Sequence, residues 1–231
     1  MIVEQAWAFR ARVEREASLR FARLAGEILS FDPESPVPAM MRKAAEDEGR
    51  HLSLCEELAG GPVAGGADAR IAPRSLGPRE AALYETVAAC CITETESVAM
   101  VTSLLSEGAV PRVREVLHEI ARDEVGHSRM GWAHLAREAA FLEVSFLGRW
   151  IPSMLAGAAG ATFEPFDAAL DSAELLRYGV LPISRKRFTF AQTLVEVVFP
   201  GLEQFGISTE PALAWLNTQR IKALVPIPIN R

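Results

Sequence analysis

The sequence predicts an all-α protein, in which a bundle of four long helices with one long crossover is followed by a helical extension. Three observations lead to this prediction. Four segments with the periodicity of amphipathic helices fill the first 141 residues, and Gly or Pro marks every boundary between them. The linker between the second and third segments is far longer than the other two. The last 90 residues contain repeated prolines, which limit helices there to short lengths.

The predicted helices of the bundle span about residues 2–29, 38–58, 78–106 and 111–141. The first two are joined by the Pro-rich stretch 32–36, and the last two by a similarly short connection. Because short connections make consecutive helices antiparallel neighbours, we expect two helical hairpins.

The linker between these hairpins, residues 60–77, is rich in Gly, Ala and Pro. Fully extended, such a linker reaches roughly 60 Å, whereas a helix of about 25 residues is only roughly 38 Å long. The linker can therefore run along the whole bundle and begin the third helix at the opposite end. This predicts the single long crossover.

The remainder of the chain predicts a different organisation. Short helices are expected near residues 145–156, 165–178, 188–198 and 210–224. The tail, residues 225–231, is predicted to be extended because alternating proline forbids a helix. We therefore divide the chain into a bundle, residues 1–141, and an extension, residues 142–231. We expect the extension to pack on the bundle as a lid, a pocket wall or an oligomer contact.

Two copies of the pattern Asp-Glu-x-x-His stand in the middle of the second and fourth predicted helices. Glu48 and His51 belong to the first copy, Glu124 and His127 to the second. Residues three apart share a helix face, so each copy directs a carboxylate and an imidazole at one point. Helical bundles bind two metal ions in this way when each of the other two helices adds a glutamate.

Helical phase selects one glutamate in each of those two helices. Glu14 falls on the apolar stripe of the first helix, whereas Glu16 lies about 200° round the helix axis. Glu94 falls on the apolar stripe of the third helix, whereas Glu96 lies off it. We therefore predict Glu14 and Glu94 as ligands and keep Glu16 and Glu96 as the alternatives.

Four inward acids and two imidazoles predict a site for two cations. Buried carboxylates are costly unless they are paired or bind a metal, and no basic partner is expected in the apolar stripes. Glu48 and Glu124 are predicted to bridge the ions, Glu14 and Glu94 to be terminal ligands, and one histidine to bind each ion. These ligands suit two iron ions, although two manganese ions or a mixed manganese–iron pair are also compatible.

A third Glu-x-x-His pair in the fourth helix serves as an internal control. Glu115 and His118 stand nine residues before the ligand pair, about 180° round the helix. We expect both side chains to face solvent and to bind no metal.

These motifs resemble those of the ferritin-like di-iron carboxylate superfamily, which includes rubrerythrins, bacterioferritins, ribonucleotide reductase small subunits and bacterial multicomponent monooxygenases. The segment containing Glu14, Ala17 and Phe21 resembles the first rubrerythrin helix, with Phe in place of Tyr. Residues 47–51, DEGRH, resemble the DExRH signature of the monooxygenases. The resemblance covers about residues 1–140 and implies a ferritin-like four-helix bundle that binds two iron ions.

The resemblance also assigns roles to residues beside the ligands. It implies that Asp47, Arg50 and Asp123 orient the metal ligands through hydrogen bonds, which in metal sites fix the tautomer of the imidazole. The second copy of the motif has Gly126 where an arginine could stand, so its surroundings differ from the first.

The resemblance implies a di-iron oxygenase or oxidase that activates dioxygen and oxidises a small organic substrate. The apolar extension favours this function because it can cover the bundle and form a substrate pocket. Phe21, Val87 and Cys90 are the predicted lining residues near the metals. The sequence shows no flavin, iron–sulfur or nicotinamide motif, so an external electron donor of the ferredoxin or flavin reductase type is expected.

Two alternatives stay open. The first is a rubrerythrin-like peroxidase or a ferroxidase that handles iron, although no rubredoxin segment is present and Phe21 replaces the expected tyrosine. The second is a non-catalytic helical interaction protein whose buried acids are vestigial.

Composition excludes other classes of function. The formal net charge is −6 and the pI is about 5.4, which argues against a nucleic-acid partner. No run of about 18 uninterrupted apolar residues appears, so no membrane span is expected. The three cysteines form no CxxC pair, which favours a reducing cytoplasm. A homodimer is one of the assemblies that the sequence leaves open.

Overall fold

The computed structural model describes residues 2–224, with side chains described for residues 2–219. These residues form helices joined by turns and loops, with no strand among them, which confirms the predicted all-α class. The predicted extended tail, residues 225–231, lies outside the described residues.

Four long helices occupy the first 138 residues. They are α1 (Ile2–Phe31), α2 (Val37–Leu58), α3 (Pro78–Leu105) and α4 (Pro111–Glu138). Proline stands in the first turn of α2, α3 and α4, where its missing N–H group would have had no helical partner. The backbone N–H of Gly77, which precedes α3, donates to Glu80 at 2.9 Å. These breakers and caps explain why the observed boundaries agree closely with the predicted ones.

The four long helices pack around a common interior. α1 lies against α2 along its length, α3 lies against α4, and further contacts join α2 to α4 and α1 to the start of α3. Within this arrangement two hydrophobic clusters form the core. One contains Phe21, Met41 and Met130, and the other contains Trp7 and Leu117. Ligand-type side chains interrupt the apolar seam between them.

The linker between α2 and α3 runs along α1, as the crossover prediction requires. Arg15 of α1 donates to the carbonyl oxygens of Val63 and Gly65, both at 2.6 Å. Two turns further along α1, Arg23 pairs with Asp68 of the linker. The chain therefore passes from one end of α1 towards the other before α3 begins.

The extension forms shorter helices. α5 (Ile151–Ala159), α6 (residues 183–203) and α7 (Glu210–Leu224) accompany 3-10 helices at Val144–Trp150, Ala168–Asp171 and Ala173–Tyr178. The single helix predicted near residues 165–178 is wrong. The side chains of Asp167 and Ser172 each accept a hydrogen bond from the backbone N–H two residues later, and a separate 3-10 helix begins after each of them. The helix predicted at 188–198 begins earlier, directly after Pro182.

The extension packs on the bundle through one shared hydrophobic cluster. Leu83 and Val87 of α3 belong to it, together with Leu147, Phe190 and Leu194 of the extension. α6 also contacts the C-terminal half of α3. The predicted domain boundary at residues 141–142 stays a prediction.

One described helix, α3, is long and apolar enough to cross a membrane by length and composition. This departs from the expectation that the chain contains no such helix. However, 56% of its most apolar window is buried inside the protein. Core helices of soluble proteins pass the same test, so the helix is weak evidence for a membrane span.

Candidate metal centre

The structure brings the six predicted ligands together in the middle of the four-helix arrangement. All of them are buried: Glu14, Glu48, His51, Glu94, Glu124 and His127. They form two overlapping groups of four, and within each group the ligand atoms lie within 4.8 Å of one another. Position A comprises Glu14, Glu48, His51 and Glu124, and position B comprises Glu48, Glu94, Glu124 and His127. That these residues bind metal stays a prediction.

The two shared residues are the predicted bridges. Glu48 faces both imidazoles, with one carboxylate oxygen 3.1 Å from Nδ1 of His51 and the other 2.9 Å from Nδ1 of His127. Glu124 lies 3.5 Å from Nδ1 of His127. Each oxygen of Glu48 thus faces a different imidazole, which is compatible with the predicted bridging role.

The alternatives Glu16 and Glu115 lie outside the cluster. Glu16 pairs with Arg20 at 2.5 Å on the half-exposed side of α1. Glu115 is exposed and pairs with Arg112 at 3.1 Å, and His118 is exposed as well. Helical phase therefore separated these residues correctly from the buried six.

Glu96 also lies outside both groups, but it is buried rather than solvated. The covering element is α6, which packs on this face of α3 and places Lys186 nearby. Burial raises the pKa of Glu96 to about 8, and Lys186 opposes the shift. The prediction that Glu96 is off the stripe is confirmed, and its burial is a finding that phase alone did not predict.

Asp47, Arg50 and Asp123 form a polar layer next to the imidazoles. Arg50 donates to Asp47 and, at 2.8 Å, to Asp123. Each aspartate lies beside the histidine of the other motif, with Asp123 at 3.2 Å from Nε2 of His51 and Asp47 at 3.7 Å from Nε2 of His127. Asp123 is placed to accept a hydrogen bond from Nε2 of His51, an orientation in which Nδ1 faces the predicted site.

These aspartates stay charged. Burial opposes ionisation of Asp47, but hydrogen bonds from Lys43 and Arg50 outweigh it and lower the pKa. Burial likewise opposes ionisation of Asp123, whereas its hydrogen bonds lower the pKa. The second motif has Gly126 at the position of Arg50 in the first. There the neighbouring Arg122 donates to Asp123 at 3.2 Å.

The remaining carboxylates repel one another. Burial, followed by the charge of Glu48, raises the pKa of Glu14 well above its usual range. Burial and the charges of Glu124 and Glu48 do the same for Glu94. Burial opposes protonation of His127, yet Glu124 and Glu48 raise its pKa to about 10. Without a metal the cluster is therefore stabilised by bound protons, which a cation would replace.

Several buried atoms of the cluster lack any hydrogen bond. They are Oε1 of Glu48, Oε2 of Glu124 and both ring nitrogens of His127. The Glu48–His127 contact is short, but its angles do not make a hydrogen bond. Carboxylate oxygens are lone-pair donors, and so is the imidazole of His127 once a cation has replaced its proton, so atoms this close are suited to a shared cation. The set of carboxylates and imidazoles fits iron or manganese.

The expectation that the acids have no basic partner is wrong. Arg10 of α1 lies inside the cluster, with Nε 2.9 Å from Glu14 and Nη2 3.8 Å from Glu124. Nη2 also donates to Ser97 at 3.3 Å, and Ser97 donates to Glu124 at 3.0 Å. The signal was present in the sequence, because Arg10 stands one turn before Glu14 on nearly the same face of the helix.

The middle of α3, Val87–Glu94, is π-helical, which hydrophobic periodicity did not predict. The hydroxyls of Thr93 and Thr95 donate to the carbonyl oxygens of Ala88 and Cys90, five residues earlier, at 3.0 and 3.5 Å. These bonds satisfy carbonyl groups along the widened turn. Short π-helical stretches inside α-helices occur frequently at functional sites, and this one ends at a predicted ligand.

α4 approaches this π-helical stretch closely at Gly131. A Cβ atom there would lie 2.4 Å from Cβ of Cys90 and 2.9 Å from the backbone nitrogen of Cys91. Only glycine fits such a distance. Gly131 follows His127 by one turn, so this close contact lies next to the predicted ligands of α3 and α4.

The predicted pocket residues are fully buried. Phe21 packs edge-to-face against His127, with 6.0 Å between ring centroids, and shares a hydrophobic cluster with Cys90. Val87 instead belongs to the cluster under the extension. A cavity of about 650 Å³ lies elsewhere, between the end of α1, the linker and the start of α3, with Glu27 and Arg70 among its lining residues. The pocket near the metals stays a prediction.

No protein-family model and no curated protein matches this chain. Its assignment to a family therefore rests on the ligand motifs and the geometry described above, and it stays a proposal.

Proposed function

We propose that this protein is a ferritin-like di-iron oxidoreductase that activates dioxygen to oxidise or oxygenate a small organic substrate. One observation carries the proposal. Six ligand-type side chains from four helices meet in the protein interior as two overlapping groups, and several of their donor atoms have no hydrogen-bond partner. Such an arrangement is costly without cations.

The helix arrangement supports the ferritin-like assignment. The chain forms two long hairpins joined by one crossover. Two of the helices each contribute a glutamate to the cluster, and the other two each contribute Glu-x-x-His. Di-iron carboxylate bundles have this pattern. Position A takes its terminal carboxylate from Glu14, and position B takes its own from Glu94.

Two iron ions bound here would supply electrons to dioxygen and be re-reduced by an external donor of the ferredoxin or flavin reductase type. The residues of the chain hold and shield the site. Asp123 keeps His51 in one tautomer. Phe21 covers the ring of His127, and apolar clusters on both sides exclude water. Manganese, alone or mixed with iron, suits the same ligands.

A rubrerythrin-like peroxidase or a ferroxidase is the second candidate. Phe21, Val87 and Cys90 are fully buried. That setting suits dioxygen or hydrogen peroxide better than an organic molecule. Oxygen uptake and peroxide consumption by the reduced, iron-loaded protein, each measured with and without organic substrates, would separate the two activities. A large hollow assembly in sedimentation would favour iron handling over the oxygenase.

The metal site itself is tested by iron loading under anaerobic conditions followed by elemental analysis. We expect two iron ions per chain in the wild type. Glu48→Ala and Glu124→Ala remove a bridge from both positions, so each variant should lose most of the metal.

Glu115→Ala is the matched control, because it removes the glutamate of an exposed Glu-x-x-His pair on the same helix as Glu124. This variant should bind iron like the wild type. Clearly less than one ion per chain in the wild type would refute both enzyme proposals and favour the non-catalytic alternative.

A further inference from the structure

We infer that the two metal positions are unequal, with position B filling first and Arg10 holding position A closed against the second ion. The inference rests on the proposed two-metal site. It concerns the order in which that site fills and the residue that controls the order.

The donors specific to position A are engaged with protein partners. Glu14 accepts from Nε of Arg10 at 2.9 Å. Nδ1 of His51 contacts Glu48 at 3.1 Å and Nε2 contacts Asp123 at 3.2 Å. An ion entering position A must break the contact between Arg10 and Glu14. It must also compete with Glu48 for Nδ1 of His51.

The donors specific to position B, Glu94 and His127, form no polar contact with Arg10. Three atoms that face one another at position B lack a hydrogen bond: Oε1 of Glu48, Oε2 of Glu124 and Nδ1 of His127. Among the described residues no basic side chain forms an ion pair with Glu94. A cation at position B has no guanidinium contact to its terminal carboxylate to break, although, as at position A, it has bound protons to replace.

Electrostatics act in the same direction. The guanidinium of Arg10 lies close to the terminal carboxylate of position A and further from the bridging Glu124. A cation at position A therefore faces the positive charge of Arg10 at short range, whereas the carboxylate of position B that Arg10 approaches, Glu124, lies further from it. Arg10 keeps 21% of its side chain exposed, which gives it a route outward once Glu14 is taken.

Titration of the metal-free protein with Mn²⁺, followed by calorimetry and electron paramagnetic resonance, tests this order. The wild type should bind two ions in separable steps, with an uncoupled mononuclear spectrum after the first. In Arg10→Gln the second step should tighten by about tenfold or more, the equivalent of one lost charge-assisted hydrogen bond. The first step should change much less.

Two further arginine variants control for charge and folding. Arg10→Lys keeps the positive charge and should keep the gap between the two steps. Arg20→Gln removes another arginine of α1 that forms an i,i+4 pair, here with Glu16, and should leave both steps unchanged.

Ligand variants identify the positions. Glu14→Ala should keep the tight first step and lose the second, whereas Glu94→Ala should lose the tight step. Two equivalent sites in the wild type, or an unchanged second step in Arg10→Gln, would overturn the unequal-site inference while leaving the two-metal site intact. The absence of any Mn²⁺ binding would instead refute the proposed function.

Discussion

Replacement of Gly131 by alanine should disturb both stability and the metal site. The added Cβ would lie 2.4 Å from Cβ of Cys90, where ordinary contact begins at 3.4 Å. Helices α3 and α4 must therefore separate or slide by about 1 Å, because the other close atoms belong to the backbone and have no rotamer to change.

The size of the effect follows from this overlap. Overpacking of a core typically costs about 1–3 kcal/mol. For a chain of this length each kcal/mol lowers the melting temperature by about 2–4 °C, so Gly131→Ala should melt about 2–12 °C below the wild type. Because the displaced stretch of α3 carries Glu94, the first Mn²⁺ step should weaken as well.

Gly126 provides the matched control on the same helix. A Cβ atom there meets nothing within 4 Å, so Gly126→Ala adds no clash. Alanine is favoured over glycine inside a helix by about 1 kcal/mol, and this variant should melt above the wild type. Scanning calorimetry of the metal-free proteins measures both shifts. A Gly131→Ala variant that melts at or above the wild-type temperature would refute the close-packing argument.

Two buried ionisable groups outside the metal site predict opposite pH dependences. Burial raises the pKa of Glu96 from 4.5 to about 8, so its contribution to stability is lost as pH rises through that window. Glu96→Gln should therefore raise the melting temperature near pH 8 but not near pH 4, and equal shifts at both would contradict the reasoning. Burial, followed by the charge of Arg79, lowers the pKa of His134 from 6.5 to about 4, so stability falls as pH drops through that window, by on the order of 3 kcal/mol. Urea denaturation of His134→Leu should show a smaller loss over this range than the wild type, and parallel pH profiles would count against the assignment.

Much of the bundle and of the buried cluster of acids and histidines could be predicted because both depend on local periodicity. Prolines at helix starts and glycines in the connections mark the boundaries of α1 to α4. Phase along a single helix then places Glu14 and Glu94 inside and Glu115 outside. None of these inferences requires knowledge of what packs against the outer faces.

The burial of Glu96 escaped prediction because it depends on a second element. Glu16 and Glu96 both lie off the inward stripe, yet Glu16 stays partly exposed whereas Glu96 is buried. The difference is α6, which covers one face of α3 and comes from a distant part of the chain. The π-helical stretch coincides with hydroxyl bonds inside α3 and with the contact to α4 at Gly131, and neither feature alters the pattern of apolar residues.

Arg10 shows that the counter-charge of a buried acid can come from a basic residue one turn away on the same helix. The periodicity that turns Glu14 inward also brings Arg10 to nearly the same face, and its long side chain reaches the carboxylates from the edge. A buried carboxylate needs a counter-charge, and in the metal-free protein protons and Arg10 provide it. Arg10 and a cation are then alternative partners for Glu14. In the proposed two-metal site, this competition would set the affinity of position A together with the ligand set.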